Sequence, residues 1–246
     1  MADKNAMSAI ELSTHGARGS NDSLQVARLS AAIRSEGTSG DRIYQAIQKI
    51  IRSAGITGTV LDYGAGTGTL TKWLVSEGGF SEVHAADITP QPPSVSGISK
   101  WIEIDLNQEI PSNDEVYDLV VAAEVIEHLE NPRFVCREIF RLLRPGGLAI
   151  ITTPNNEHVR SLLSLIGRGH FAAFTGSNYP AHITALLRCD LARILAEAGF
   201  ESVSFSHSGW GSIPFTRVTW QQISFGMLGG KPFSDNLIVT ARKPSR

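Results

Sequence analysis

From residue 41 onward the apolar positions change period repeatedly, and each change marks an element. Ile43, Ile47, Ile50 and Ile51 recur at helical spacing, and Gly55 stops that helix. TVLDY (59–63) is a short apolar run and reads as the first strand, followed by a helix over 69–77. EVHAAD (82–87) and KWIEID (100–105) read as strands two and three, and VYDLVVAAEV begins strand four. A helix is predicted over 132–143, with Asn131 as N-cap, Pro132 at the first helical position and RPGG ending it. GLAIITT (147–153) supplies strand five, and 190–198 form a helix capped by Asp190 and closed by Gly199. ESVSFSH and NLIVTA supply two late strands. This alternation predicts an α/β fold built on a doubly wound, mostly parallel sheet, with ligands at the carboxyl ends of its strands.

Residues 1–40 break the pattern. They are rich in Ser, Gly, Ala and Asn, and their only periodic patch is Leu24, Val26, Ala27, Leu29 and Ile33. A flexible leader is expected there; the alternative is a helix that folds over a cofactor or onto a second subunit. Residues 41–246 are read as one domain. Two connections are too long for simple α/β loops. Residues 155–187 carry Leu162, Leu163, Leu165, Ile166, Phe171 and Phe174, which suit either core packing or a helical lid over a bound acceptor. Residues 208–234 carry Trp210, Phe215, Trp220, Phe225 and Met227, which suit a dimer contact, an acceptor cover or core. Arg160, Arg168, Arg188 and Arg217 lie in or near these segments and are positioned to meet an anionic group or solvent.

Composition narrows the function classes. With 42% apolar and 19% charged residues over 246 positions, the chain can bury a real core, which excludes disorder as its main state. A net charge of −2 gives no broad basic surface, so DNA is not an expected partner and RNA is disfavoured. Cys136 and Cys189 are too few for a disulfide framework or a four-thiolate zinc site, and both are expected to stay reduced and pack as small apolar groups. No run approaches the ~18–20 apolar residues of a membrane span. The start of the chain, with Asp3, Lys4 and Glu11, does not read as a signal peptide. A cytoplasmic protein is expected.

VLDYGAGTGTLT (60–71) is the most informative segment: a strand carrying Asp62, then Gly64, Gly66 and Gly68 at alternate positions, then a helix. Glycines permit positive φ and let a ligand approach the backbone. The spacing G-x-G-x-G differs from the dinucleotide pattern G-x-G-x-x-G, and an acid precedes it. A pyrophosphate wants backbone N–H groups. An acid here suits instead a ligand with an ammonium group, and S-adenosylmethionine carries an ammonium and a sulfonium but no phosphate. Asp87, at the end of strand two, suits both ribose hydroxyls of an adenosine, and Asp105 with Leu106 ends strand three where an adenine would lie. Three acids at three successive strand ends make a nucleoside pocket.

With these motifs, DLVVAAEVIEHL and LLRPGGLAIITTPN, the sequence resembles the class I S-adenosylmethionine-dependent methyltransferases over roughly residues 42–206. The resemblance implies a Rossmann-like seven-stranded sheet whose last strand runs antiparallel. It places Asp62, Gly64, Ala65 and Gly66 at the methionine moiety and Asp87, with Ile88 beside it, at the ribose. Asp105 and Leu106 would hold the adenine, and Glu124 the floor of the site.

AAEVIEHLEN (122–131) brings Glu124, Glu127 and His128 within five residues. Three readings stand. His128 is a general base that takes a proton from an attacking hydroxyl; or Glu124, Glu127 and His128 hold Mg2+ or another divalent cation that acidifies that hydroxyl; or Glu127 is a solvated residue and His128 a structural one. The segment resembles ubiquinone-pathway O-methyltransferases and small-RNA 2′-O-methyltransferases, where such a cluster is associated with metal. His182 is expected to join the pocket as a second catalytic histidine, and His158 and His170 to be loop residues.

The resulting expectation is methyl transfer to an oxygen of a small-molecule, glycan or lipid biosynthetic intermediate, with a homodimer possible. The alternatives are a metal-dependent RNA 2′-O-methyltransferase and a non-catalytic S-adenosylmethionine-binding protein.

Overall fold

A computed structural model describes residues 26, 28–30, 32–33, 39–95, 100–214, 216 and 218–245. The expectations for Leu24, Ala27, Phe215 and Arg217 lie outside the described residues. Helices α1 (Asp41–Ala54), α2 (Thr69–Ser76), α3 (Pro132–Leu142), α4 (Val159–Arg168), α5 (Arg188–Ala198) and α6 (Trp220–Ile223) alternate with seven strands. These are β1 (Thr59–Tyr63), β2 (Glu82–Asp87), β3 (Lys100–Glu103), β4 (Tyr117–Ala123), β5 (Leu143–Pro154), β6 (Glu201–His207) and β7 (Asn236–Arg242).

The strands form one sheet in the order β3-β2-β1-β4-β5-β7-β6. β7 runs antiparallel to both of its neighbours, and the other pairings are parallel. The central strands are covered on both faces, which is why they read as continuous apolar runs. All five residues of β1 are buried. On one face Ile43, Ile47 and Ile51 of α1 pack with Leu70 and Leu74 of α2. On the other, Val135, Ile139 and Leu142 of α3 pack with Leu191 and Leu195 of α5. β6, at the sheet edge, exposes alternate residues.

Local signals account for most boundaries. The Asn131 side chain accepts a hydrogen bond from the Phe134 N–H, and Pro132 opens α3 as expected. Three expectations are corrected. RPGG does not terminate a helix ahead of a separate strand; α3 ends at Leu142 and β5 starts at Leu143. The tetrapeptide forms a bulge, because Tyr117 pairs with Leu143 but Leu119 pairs with Leu148. Asp190 is not the N-cap of α5 but its third residue, where its carboxylate accepts from the Leu187 N–H at 3.1 Å. Cys136 is fully buried, and burial pushes its thiol up to about 12, whereas Cys189 is exposed and does not pack as an apolar group.

The two long connections resolve differently. Residues 155–187 do carry a helix, α4, but Leu162, Leu163, Leu165 and Ile166 face solvent, Ile166 at 84% exposure. They are not core. Within 208–234, Trp220 packs against Phe233 at a tilt of 56°, Gln221 is buried, and Phe225 and Met227 are exposed. Among the described residues no helix is long and apolar enough to cross a membrane.

Candidate active site

The carboxyl ends of β1 to β4 converge on the glycine turn. Asp62 is 1% exposed, and its Oδ2 accepts a 2.7 Å hydrogen bond from the Thr71 hydroxyl at the start of α2. Burial pushes this carboxyl up to about 7, with the negative field of Asp87 adding to the shift and the Thr71 bond opposing it. An ammonium group placed beside it would restore the carboxylate. Gly64 and Gly66 adopt φ values of +85° and +52°. A Cβ on Gly64 would lie 2.3 Å from Cγ2 of Val125, so the turn and the start of the fourth loop close on each other only without that carbon. Gly64→Ala is expected to abolish cofactor binding with less effect on the melting temperature, read by calorimetric titration and thermal unfolding; unchanged affinity would show that the loop tolerates displacement.

Asp87 closes β2. Its Oδ2 accepts from the Gly66 N–H at 2.8 Å and its Oδ1 from the backbone and hydroxyl of Thr89, which pins the glycine loop to the second strand. Ile88 beside it is half-buried. Beyond β3, Asp105 holds Asn107 through its Oδ1 and the guanidinium of Arg28 through its Oδ2. Arg28 also pairs with Glu130 at 2.8 Å. Val26, Arg28–Ser30 and Ala32–Ile33 are helical, so a piece of the segment read as a leader reaches the carboxylate expected at the adenine. Sequence spacing held no signal for that long-range pair. The carbonyl of Leu106 accepts from the buried Tyr63 hydroxyl.

After β4 the chain turns sharply. Glu124 sits at φ +56°, a conformation costly for a non-glycine residue and commonest at functional sites. Its N–H donates to the Thr152 hydroxyl, whose own proton goes to Oε1 of Glu124, while Asn236 Nδ2 donates to Oε2 at 3.0 Å. Burial raises this carboxyl to about 7. Glu124 is thereby tied to β5 and β7 and is not part of the cluster that follows.

Glu127, in the 3-10 turn Ile126–His128, is 0% exposed, and neither carboxylate oxygen has a partner at full hydrogen-bond geometry, although its own N–H and the Thr153 hydroxyl favour its charged form. Burial, then repulsion from Glu124, push it well above the usual carboxylate range. Next to it the imidazoles of His128 and His182 meet edge to face, with centroids 4.8 Å apart. Nδ1 of His128 lies 2.8 Å from the Ala181 carbonyl and Nδ1 of His182 2.7 Å from the Ala173 carbonyl. A carbonyl only accepts, so each neutral ring carries its proton on Nδ1 and its lone pair on Nε2. Burial lowers both rings from the ordinary histidine value. One ligand atom from each of Glu127, His128 and His182 lies within 4.8 Å of the others. The segment carrying His182 is stitched on by Ile183 and Thr184, whose N–H groups donate to the Glu127 carbonyl.

A cavity of about 240 Å³ opens beside this cluster, walled by Glu124, Asn156, His158, Ser161, His182 and Asp235. His158 lies in the connection between β5 and α4, as expected, but it is 5% exposed and caps the start of α4 rather than facing solvent. Its position after that strand was the available signal. A second cavity of about 340 Å³ shares Asp235 and Asn236 and is bounded by Arg42, stacked 3.7 Å over the Trp210 ring. His170 bonds only locally, to the Phe171 carbonyl.

The sheet order, the antiparallel β7 and the acids at three strand ends define a class I S-adenosylmethionine-dependent methyltransferase architecture. Residues 25–204 match the family described as "Methyltransferase domain", and the chain belongs to it. It is 27% identical over 157 residues to the ubiquinone biosynthesis O-methyltransferase of Aeromonas salmonicida, covering 60% of this chain and 65% of that one. It is 30% identical over 125 residues to the Klebsiella pneumoniae protein of the same name, covering 47% and 51%. The chain thus spans less than two thirds of these relatives' length. Among solved structures, a Thermotoga maritima methyltransferase described as a possible histamine N-methyltransferase superposes with a TM-score of 0.59 at 14% identity, covering 81% of this chain and 88% of that one, a likeness of fold.

Proposed function

We propose that the protein transfers the methyl group of S-adenosylmethionine to a hydroxyl of a small-molecule, glycan or lipid-linked acceptor seated in the 240 Å³ cavity. The observation that carries this reading is the buried, unpaired Glu127 carboxylate beside two imidazoles whose Nδ1 atoms are held by main-chain carbonyls. A buried carboxylate without partners is costly and persists where a ligand completes it. The ubiquinone-pathway relatives favour an oxygen acceptor.

In this reading Asp62 takes the cofactor's ammonium, Asp87 with Ile88 the ribose, and Asp105 with Leu106 the adenine. Gly64, Ala65 and Gly66 let the methionine lie against the backbone. Glu127, His128 and His182 form the corner that holds the attacking oxygen in line with the methyl–sulfur bond. The sulfonium supplies the reactivity, so the protein's work is positioning, exclusion of water and removal of one proton.

The same corner fits a divalent cation. Each imidazole is oriented by a carbonyl behind it, as in metal sites, and the carboxylate is free. Two nitrogens and one oxygen suit Mn2+, Fe2+, Co2+ or Zn2+ better than Mg2+, which prefers oxygen donors. The chemistry such an ion supplies when bound is polarisation of the acceptor oxygen, which lowers the hydroxyl's pKa.

The test is transfer of labelled methyl from S-adenosylmethionine into a cell extract separated into small-molecule, lipid, glycan, protein and RNA fractions, with and without a chelator. Label is expected in the small-molecule, lipid or glycan fraction, and loss of label with chelator shows a cation requirement, for which Glu127, His128 and His182 are the candidate ligands. Label in RNA overturns the acceptor class. Cofactor binding with no label in any fraction overturns catalysis in favour of a binding protein.

A further inference from the structure

Methyl transfer to a hydroxyl releases a proton, and the Nδ1 side of the Glu127–His128–His182 corner offers it no way out. The Nδ1 atoms of His128 and His182 end on the carbonyls of Ala181 and Ala173, which cannot pass a proton on. Glu127 is fully enclosed. Another part of the cavity lining differs. His158 places its Nδ1 3.6 Å from Oδ1 of Asp235, leaving Nε2 for a molecule in the cavity. Oδ1 of Asp235 has no hydrogen-bond partner, while Oδ2 is held by the backbone N–H and hydroxyl of Ser212 at 3.0 and 3.1 Å. Asp235, with Asn236, lines both cavities, and its side chain keeps 32% of its exposure.

The frame of this pair is rigid. The Asn155 side chain donates to the carbonyls of Lys231 and Ser234 at 2.8 Å each, and the Asn155 N–H donates to the Asp235 carbonyl at 2.7 Å. The end of β5 and the approach to β7 are therefore locked together, with His158 on one and Asp235 on the other. The charged and titratable groups around His158 are Asp235, Arg160 on α4, and Glu124 and His182 across the cavity. Burial lowers the ring from the ordinary histidine value; Asp235 opposes that shift and Arg160 adds to it. The ring is then neutral at neutral pH, as a proton acceptor must be.

We propose that His158 accepts the acceptor's proton and that Asp235 passes it into the 340 Å³ cavity and so to solvent. This rests on the reading of the smaller cavity as the acceptor site. As the oxygen–methyl bond forms, the sulfur–methyl electron pair returns to sulfur, turning the sulfonium into a neutral thioether. The O–H bond breaks, its proton goes to Nε2 of His158, and its electron pair stays on the new ether oxygen. The charge lost at sulfur reappears as an imidazolium facing the Asp235 carboxylate, and one proton leaves per turnover. His158 discharges the oxygen.

The test uses the full chain, loaded with any cation it requires, and two probes differing in hydroxyl acidity, catechol and 4-nitrocatechol. His158→Gln is expected to lower single-turnover transfer to catechol about 100-fold, the ordinary weight of a general base. Transfer to the more acidic nitrocatechol should fall far less, and cofactor affinity should not change. Asp235→Asn should move the acidic limb of the pH–rate profile to lower pH, because the neutral amide no longer supports the imidazolium. Ring-nitrogen NMR of His158, assigned by its absence in His158→Gln, should show the same downward shift. A His158→Gln variant that transfers to catechol at the wild-type rate, or Asp235→Asn with an unmoved titration, overturns the proposal alone. Transfer by the wild type to neither probe, with no label reaching the small-molecule, lipid or glycan fraction of an extract, overturns it together with the hydroxyl-acceptor reading beneath it.

Discussion

His182→Ala and His128→Ala are each expected to lower methyl transfer by about 100- to 10,000-fold while leaving cofactor affinity unchanged. Neither imidazole belongs to the acids at the ends of β1 to β3, so the loss should fall on the transfer step. Single-turnover rates with calorimetric cofactor titration separate the two quantities, and equal turnover in both variants and the wild type would remove the histidines from the mechanism. Glu127→Gln carries a further signature. Its carboxyl is raised by burial and by Glu124, so the folded state holds a proton that the unfolded state releases above the ordinary carboxylate range. The wild type therefore loses stability as pH rises through that interval, and the amide does not. The variant should be inactive yet melt higher than wild type at pH 8, with the gap closing toward pH 4. A lower melting temperature at pH 8 would mean that the carboxylate already has a stabilising partner.

The second large effect is on cofactor binding. Asp62 stands at about 7, so an incoming ammonium has to capture its ionised form. Below pH 7 the apparent dissociation constant of S-adenosylmethionine should rise about tenfold per pH unit, since one proton is displaced on binding. Above pH 7 it should flatten, until the cofactor's own α-amino group begins to lose its proton near pH 8. Asp62→Asn should bind at least about tenfold more weakly at pH 8 and show no acidic slope. Thr71→Val removes the hydroxyl that supports the carboxylate, so its slope should begin at higher pH. Titration across pH 5.5–8.5 decides the matter: a wild-type profile without an acidic slope would mean that another group receives the ammonium.

Much of the fold was legible because its signals are local. Periodicity located the strands and core helices, Asn131 and Pro132 fixed the start of α3, and the glycine spacing separated this loop from a dinucleotide turn. The acids Asp62, Asp87 and Asp105 were readable for the same reason: in a parallel sheet, strand ends adjacent in sequence order are neighbours in space. Misplaced boundaries arose where tertiary pairing overrode a local rule. RPGG carries the signature of a helix stop, yet β4 pulls it into β5 as a bulge.

What the amino-acid order could determine alone was a Rossmann-like α/β domain with acids at the ends of its first three strands, the positions proposed for the cofactor's nucleoside. The acceptor side came from folding. Glu124 and Glu127 are three residues apart, yet the positive-φ turn sends one to Thr152 and Asn236 and the other to His128 and His182. His158 and Asp235 lie 77 positions apart and meet only because β7 runs antiparallel beside β5, joining the end of one strand to the start of the other. Arg28 reaches Asp105 across the same number of positions. Hydrophobic periodicity records which face of an element is buried; it holds no information on which distant side chain shares a cavity. That pairing is decided when the elements pack, by sheet order and by the desolvation that forces buried polar groups to find one another.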